Sequence, residues 1–227
     1  MNFITATYWQ SARNNSTLLL QQYQYKHTPL CLITLCDGQN EAQGKAGAYL
    51  TGQLLQWFRS LSFSRIIRDP DRNLSTLETH LQTFLPRLQN DLISCGLLCQ
   101  THPLPLSGIL CFDDMFLIFS QRSHRIYLLN KGFGQSRIQD LSREMTTKQD
   151  SSDSLILRQG ILQRDVGILF ATETLCRQLT EQEIQECMYV EEIHTENQAI
   201  RHLQELGCRA EALKGRNMAA AFLLARP

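Results

Sequence analysis

Short apolar runs rich in β-branched and aromatic residues recur along the chain, with polar turn segments between them. Such runs are typical of β-strands that bury one or both faces. The sequence predicts eight strands, in the segments STLLLQQYQY, LCLITLC, SGILCFDD, MFLIFSQ, HRIYLLN, SLILRQG, VGILFAT and MAAAFLLA. Residues 107–130 hold three of these segments with short polar turns between them, and we expect an antiparallel meander there.

Two longer segments carry apolar residues at the three- to four-residue spacing of an amphipathic helix. The second of them covers 77–92, and Pro86 is expected to kink it. Thr180 and Glu183 have the spacing of a capping box, and a last amphipathic helix is predicted over 197–213. The face of the first helix consists of Leu50, Leu54, Trp57, Phe58 and Leu61.

The order of these elements predicts the fold class. Strands come first, then two helices, a run of strands, two more helices and a final strand. Segregated blocks of this kind indicate an α+β protein with helices stacked on an antiparallel sheet or sandwich. The polar segment 142–154 is expected to be a mobile flap. With 227 residues and no long polar linker, the chain is expected to form one domain over 1–227.

Charge and composition narrow the range of partners. The 22 basic and 22 acidic residues cancel, and no basic block is present, so neither nucleic acid nor a membrane is expected as a partner. The N-terminus lacks the features of a signal peptide, and we expect a cytoplasmic protein. The eight cysteines match neither a zinc nor a thioredoxin spacing, so reduced and mostly buried thiols are expected.

The segment 33–50 runs from a predicted strand through a glycine-containing turn into a helix, with Asp37 at the corner. A phosphate-binding loop is excluded, because five residues rather than four lie between Gly38 and Gly44 and because Lys45 precedes alanine. A carboxylate at a strand end suits a hard cation, which prefers oxygen ligands. The alternative is that Asp37 caps the turn and the helix that follows.

Four segments in the same order resemble the metal-dependent protein phosphatase 2C (PPM) family. ITLCDGQNEAQGKAGAYLTGQLLQWF is similar to its strand, Asp-Gly loop and first long helix, and LQRDVGILFATETLCRQLTEQEIQE to the segment around its Thr-Asp-Gly motif. SGILCFDDMFLIFSQRSHRIYLLNKG resembles its meander, and LKGRNMAAAFLLA its closing strand. The resemblance implies four α/β/β/α layers, with an antiparallel β-sandwich flanked by helices on both faces.

Members of that family hydrolyse phosphoserine and phosphothreonine with two manganese or magnesium ions held by aspartates. By this resemblance, Asp37 and the carbonyl of Gly38 correspond to the metal-bridging Asp-Gly, and Glu173 stands in the place of the Thr-Asp-Gly aspartate. Arg13 corresponds to a phosphate-contacting arginine. The alternatives are that Glu173 is an exposed acid at a strand end and that Arg13 is a solvated charge.

Two other metal-binding positions of the family have lost their acids. Residues 1–36 and 212–227 contain neither Asp nor Glu, and Arg216 precedes Asn217 where the last metal-binding aspartate belongs. Arg216 either places a guanidinium between the remaining acids as an internal cation or extends into solvent. His124 lies in the altered turn RSHR, as an exposed hydrogen-bonding residue or, alternatively, as a general acid.

These losses predict a pseudophosphatase with no cofactor, which acts by binding or regulating a protein partner or phosphoprotein. The short, single-domain form suggests a bacterial origin. The alternative is a divergent but active Mn/Mg-dependent serine/threonine phosphatase. That enzyme would use Asp37, Glu173 and a further carboxylate from the polar segment 142–154.

Overall fold

The computed structural model describes residues 1–10, 15–99, 104–121, 124–131, 137–146, 155–212 and 218–226. These residues form ten strands, seven α-helices and a short 3₁₀ helix. In chain order the elements are β1 (Asn2–Gln10), β2 (Ser16–Tyr25), β3 (Thr28–Asp37), α1 (Glu41–Ser60), α2 (Phe63–Arg68), α3 (Pro70–Ser94), β4 (Leu106–Phe112), β5 (Met115–Gln121), β6 (Arg125–Asn130), β7 (Arg137–Asp140), α4 (Leu141–Thr146), β8 (Ile156–Ile161), β9 (Gly167–Ala171), α5 (Glu173–Gln178), α6 (Glu181–Cys187), the 3₁₀ helix (Val190–Glu192), α7 (Glu196–Ala212) and β10 (Met218–Arg226).

The strands build two five-stranded sheets in which every neighbouring pair is antiparallel. One sheet has the order β1-β10-β9-β6-β7, and the other has the order β2-β3-β4-β5-β8. The α+β class predicted from the order of the elements is confirmed.

Three clusters of buried side chains separate the layers. Alternate residues of β3, such as Ile33 and Leu35, share a cluster with Ala219 and Ala221 of β10 between the two sheets. The other face of the β3 sheet packs against α1 and α3, and the other face of the β10 sheet packs against α5, α6 and α7. The expected α/β/β/α arrangement is therefore confirmed, because both sheets bury both of their faces.

All eight predicted strands are present, but the sequence pattern does not single out β1 or β7. β1 carries threonines among its apolar residues, and β7 has only four residues, so neither shows a long apolar run. β1 is nevertheless held by a complete register with β10, from Asn2 opposite Arg226 to Gln10 opposite Met218. A strand of modest hydrophobicity is thus specified by its partner rather than by its own pattern.

The predicted meander over 107–130 is wrong in its last strand. β4 and β5 form a tight hairpin, and Asp113 in its turn adopts the left-handed φ of 54°. β6, however, joins the other sheet, where it pairs with β7 and β9. Ile126 faces the core between the sheets while Tyr127 and Leu129 face the helices, and apolar alternation cannot tell to which sheet such a strand belongs.

The helix predictions are confirmed where the structure describes them. The predicted faces of α1 and α3 lie in the core beneath the β3 sheet, and Thr180 and Glu183 form the capping box that opens α6. Pro86 lies inside α3, and its kink stays a prediction. The flap expected over 142–154 is wrong for residues 142–146, which belong to α4, while 147–154 lie outside the described residues.

All eight cysteines are free thiols, as expected. The expectation that most are buried is only half right, because Cys95, Cys99 and Cys208 are exposed and Cys176 is partly so. In the described part of the chain, no helix is both long enough and apolar enough to cross a membrane.

His124 is buried, which corrects the expectation that it is an exposed residue of a turn. Its Nδ1 lies 2.8 Å from the Oγ of Ser107 on β4, and its buried Nε2 has no hydrogen-bond partner among the described residues. Burial lowers the pKa of His124 to about 3, because a charged imidazolium would lose its hydration without gaining a counter-ion. A side chain enclosed in this way cannot reach a substrate as a general acid.

We predict that His124 makes the fold acid-sensitive. Its pKa is about 3 in the folded protein and 6.5 in its ordinary state, so between these values the unfolded chain binds the extra proton. Stability is lost as the pH falls from 6.5 towards 3, by about 2 kcal/mol between pH 7 and pH 5. Urea unfolding at both pH values should show most of this difference disappear in His124→Gln, but not in His27→Gln, which alters an exposed histidine.

We predict opposite effects from adding a methyl group at two glycines. A Cβ at Gly108 would lie 2.3 Å from Cζ of Phe119 and 2.5 Å from the carbonyl oxygen of Ile33, so Gly108→Ala should cost about 1–3 kcal/mol. Gly52 lies on α1 with nothing within 4 Å, so Gly52→Ala should stabilise the protein by about 0.5–1 kcal/mol. Thermal or urea unfolding that gave both changes the same sign would contradict this view of the packing.

Candidate functional site

Asp37 is the last residue of β3 and continues the series of β3 side chains that face the opposite sheet. Cys31, Ile33 and Leu35 lie in the core between the sheets, and a strand directs every second side chain to the same face. Asp37 therefore lies between the two sheets at the end of the sandwich, where the apolar core stops.

The side chain of Asp37 is held by the neighbouring strand. Ser16 is paired with Asp37 in the register of β2 and β3, and its Oγ donates a hydrogen bond to Oδ1 of Asp37 over 2.7 Å. The alternative that Asp37 caps the following helix is wrong, because the N-cap of α1 is Asn40, whose side chain accepts from the N–H of Gln43. Ser16 is a site residue that the sequence analysis missed, since strand register is not visible in the sequence.

Gly38 allows three backbone segments to approach one another beside Asp37. Its N–H donates to the carbonyl oxygen of Asn15 over 3.1 Å. A Cβ at this position would lie 2.6 Å from that oxygen and 2.8 Å from the N of Gly44 in the first turn of α1. The glycine therefore follows from close backbone packing at the corner.

Glu173 is the first residue of α5, directly after β9 and Thr172. Its Oε1 accepts two hydrogen bonds from the guanidinium of Arg177, one from Nε at 3.1 Å and one from Nη2 at 2.9 Å. Arg177 lies one helical turn later, and its four-residue spacing from Glu173 is the sequence signal that could have revealed it. The pair is largely exposed, so its contribution to stability is small.

The two acids interact electrostatically across the end of the sandwich. Burial raises the pKa of Asp37 above its ordinary value of 3.8, the hydrogen bond from Ser16 opposes this shift, and the negative charge of Glu173 adds to it. The folded protein thus disfavours a charge on Asp37. The two predicted acids do lie in one region, as the resemblance implies.

A second group of polar side chains lies beside Glu173. Cys176 and Tyr127 share a hydrogen bond, and burial raises the pKa of the Cys176 thiol to about 12. A thiol with such a pKa stays protonated and is a poor nucleophile at neutral pH. Arg125 is also present but donates to Asp140 over 3.0 Å, in an ion pair whose carboxylate is almost entirely buried.

Arg13 and Arg216 lie outside the described residues, so their expected contacts with phosphate and with the two acids stay predictions. Within the described part of the chain, the cation bound to Glu173 is Arg177. His124 is enclosed in the fold and takes no part in the site.

Within the described ranges, the residues at this site do not fit the two-metal centre that the resemblance implies. Among the described residues, no group of three or more His, Cys, Asp or Glu side chains is close enough to hold a metal ion. One oxygen of Asp37 accepts from Ser16, and Glu173 binds Arg177.

No protein-family model matches the sequence, and no curated protein matches it either. Solved structures of bacterial phosphatases do match. The serine/threonine phosphatase of S. agalactiae superposes with a TM-score of 0.66 at 13% identity, covering 99% of this chain and 100% of that chain. PppA of Pseudomonas aeruginosa, described as a key regulatory component of T6SS, gives 0.66 at 11% identity, with coverages of 99% and 98%.

A third match is the catalytic domain of the serine/threonine protein phosphatase PstP in complex with two manganese ions. It superposes with a TM-score of 0.60 at 11% identity, covering 97% of this chain and 96% of that chain. Matches at such low identity and nearly complete coverage establish the fold alone. The chain has the fold of the bacterial serine/threonine phosphatases, and its resemblance to protein phosphatase 2C is confirmed at this level.

Proposed function

We propose that this protein is a pseudophosphatase, which uses a phosphatase fold to bind or regulate a protein partner or phosphoprotein and hydrolyses little or no phosphate. The observation that carries the proposal is the state of the two remaining acids. Asp37 accepts from Ser16 in a setting that raises its pKa, and Glu173 is bound by Arg177. These local partners support the proposal, because each occupies an oxygen that a metal ion would need.

The chemistry of phosphate hydrolysis explains why this matters. A phosphate dianion and an attacking hydroxide repel each other, and family members overcome that repulsion with two divalent cations held by several carboxylates. Here the first 36 residues and the last 16 contain no acid, so two of the family's ligand positions cannot supply one. With two carboxylates, the site has lost much of the ligand charge on which affinity for a hard cation depends.

The retained fold is compatible with binding a protein partner. The core between the sheets is complete up to Asp37, so the scaffold keeps its shape without a metal ion. Phosphatases of this fold include PppA, which is itself described as a regulatory component. A chain that keeps the fold and lacks the ligands retains a surface for a partner while losing turnover. We propose that the protein is located in the bacterial cytoplasm, because the matched phosphatases are bacterial and the composition suits that compartment.

We predict no hydrolysis of para-nitrophenyl phosphate or of a phosphothreonine peptide above the buffer rate, with manganese or magnesium in millimolar excess. Thermal unfolding should be unchanged by either metal. If metal did bind, a concentration of about 100 times its Kd would raise the free energy of unfolding by about 2.7 kcal/mol. For a chain of this size, that would raise the melting temperature by several degrees.

Asp37→Asn serves as the control for that assay. Metal-dependent turnover that disappears in Asp37→Asn would overturn the proposal in favour of the divergent active phosphatase. In that case Asp150 and Asp153, which lie outside the described residues, would be the first candidates for the missing carboxylate.

We also predict that Asp37→Asn leaves stability unchanged or raises it at pH 7. Asparagine can still accept from Ser16, and it removes a charge that burial and Glu173 disfavour. Because the folded pKa of Asp37 is raised, the charge costs stability above its ordinary pKa of 3.8, and the benefit of asparagine should be smaller at pH 4 than at pH 7.

Gly38→Val is the matched comparison at the adjacent position. It should destabilise the protein by about 2 kcal/mol or more, because its side chain would meet the backbone of Asn15 and Gly44. Urea unfolding curves that showed a large loss for Asp37→Asn and none for Gly38→Val would mean that the acid is a structural element of the corner.

A further inference from the structure

One edge of the sandwich consists of two long strands that lie side by side. β1 ends the sheet that contains β10, and β2 ends the sheet that contains β3. The Nε2 of Gln22 on β2 donates to Oγ1 of Thr5 on β1 over 2.7 Å, which ties the two edges together. Within the described residues, no strand pairs with the outer side of either one.

Hydrogen bonds at the ends of β3 determine which of its backbone groups face β4. The N–H of Asp37 donates to the carbonyl of Pro105 over 3.1 Å, and the N–H of Asp113 donates to the carbonyl of Pro29 over 3.0 Å. Backbone groups of successive residues point to opposite sides of an antiparallel strand. The odd-numbered residues of β3 therefore bond towards β4, and the even-numbered ones bond towards β2.

The register carries this alternation across to β2. Even-numbered residues of β3 are paired with odd-numbered residues of β2, as Leu30 is with Tyr23. The even-numbered residues of β2 consequently direct their N–H and C=O groups away from the sheet. Consistent with this, the Nε2 of Gln21 donates to the carbonyl of Gln22 over 3.2 Å. The residues of β2 whose backbone N–H and C=O groups point away from the sheet are Leu18, Leu20, Gln22 and Gln24.

The composition of this edge differs from that of the opposite one. β1 and β2 have nine and ten residues, and neither contains a charged residue, a proline or a glycine. On the opposite edge, β7 has four residues and begins and ends with a charge, and β8 has six residues with Arg158 and Gly160. Monomeric sheets protect their edges by short strands, charges and bulges. In the residues that the structure describes, the long and uncharged strands of the β1/β2 edge lack these protections.

Helices pack on the faces of these strands. Tyr8 of β1 packs on Gly207 of α7, and the ring of Tyr23 on β2 lies 5.7 Å from that of Phe58 on α1. A groove of about 320 Å³ opens between the strands, lined by Asn2, Gln22 and other residues of β1, β2 and β3. A partner at this edge would contact the outer backbone groups of β1 and β2 and this groove.

We propose that the β1/β2 edge is the interface of a homodimer with two-fold symmetry. In it β2 pairs antiparallel with β2 of a second copy, and β1 pairs with β1 of that copy. An antiparallel pair of identical strands is itself two-fold symmetric, so the interface closes on two subunits. Because the two sheets are stacked, a single two-fold axis perpendicular to them relates β1 to β1 and β2 to β2 of the second copy. Both sheets then continue across the interface.

The size and charge of the edge favour a second copy as the occupant. A ten-residue strand is about 33 Å long, and each of the two stacked sheets is about 10 Å thick with its side chains, so the edge is about 20 Å wide and presents roughly 700 Å², close to the ~800 Å² per partner of a stable complex. The net charge of the chain is zero and both strands are uncharged, so two copies meet without repulsion. Trp9 of β1, 49% exposed, adds the kind of aromatic side chain that is enriched in interfaces.

Analytical ultracentrifugation of the full chain tests this proposal. The wild type should sediment with twice the mass of one chain, and Gln24→Lys combined with Thr7→Lys should weaken self-association by about tenfold or more, because each exposed position would face a second copy. Gln159→Lys is the matched control, since Gln159 is exposed on the edge strand β8 of the same sheet as Gln24. It should leave the dimer intact.

Gln24→Pro is a second variant that blocks the edge without adding charge. It removes an outward-facing N–H, a place where an edge strand tolerates proline, so the variant should fold and be monomeric. Circular dichroism checks that each variant is folded. A monomeric wild type would overturn the proposal, even if it bound a strand-forming peptide, because the edge would then serve a different partner. A dimer that survives the β1/β2 variants, or that Gln159→Lys disrupts equally, would also overturn it.

Discussion

The contact between the inner faces of the two sheets determines where every other part of the molecule lies. Ile33 and Leu35 of β3 pack in the same buried cluster as Ala219 and Ala221 of β10, and the small residues of β10 let the two sheets approach closely. Because side chains alternate along a strand, this packing also fixes the positions just beyond the core. Asp37 faces the opposite sheet for the same reason that Leu35 does, one step further along β3.

The end of the sandwich therefore combines two conflicting conditions. The fold directs the side chain of Asp37 into a partly buried position. The start of α5 brings Glu173 close enough for its negative charge to raise the pKa of Asp37. In a metal-dependent enzyme, divalent cations would offset that repulsion. Here each acid has a local partner instead, a hydroxyl from the neighbouring strand for Asp37 and a guanidinium one helical turn away for Glu173. Neither partner requires a change in the fold.

Much of this arrangement could be predicted from the sequence, because the signals involved are local. The strands of the core are long apolar runs, α1 and α3 have clear periodicity, and the capping box of α6 is visible as Thr180 and Glu183. The errors concern pairing. The sheet to which β6 belongs, the serine opposite Asp37 and the burial of His124 all depend on which strands become neighbours in space. Apolar alternation gives the faces of a strand but not its partner.

The position of the site explains why its two acids contribute little to the stability of the fold. Asp37 is the last residue of β3 and Glu173 follows the end of β9, so both lie at strand ends and not among the apolar side chains of the three buried clusters. A carboxylate at such a position serves chemistry more than packing, since its burial raises its pKa instead of strengthening the core. A substitution of either acid would therefore remove little that holds the sheets together. Gly38 is the exception, because its missing side chain is what lets β2, β3 and α1 meet at the corner. Backbone packing at the corner therefore requires Gly38, whereas it places no such requirement on the carboxyl group of Asp37.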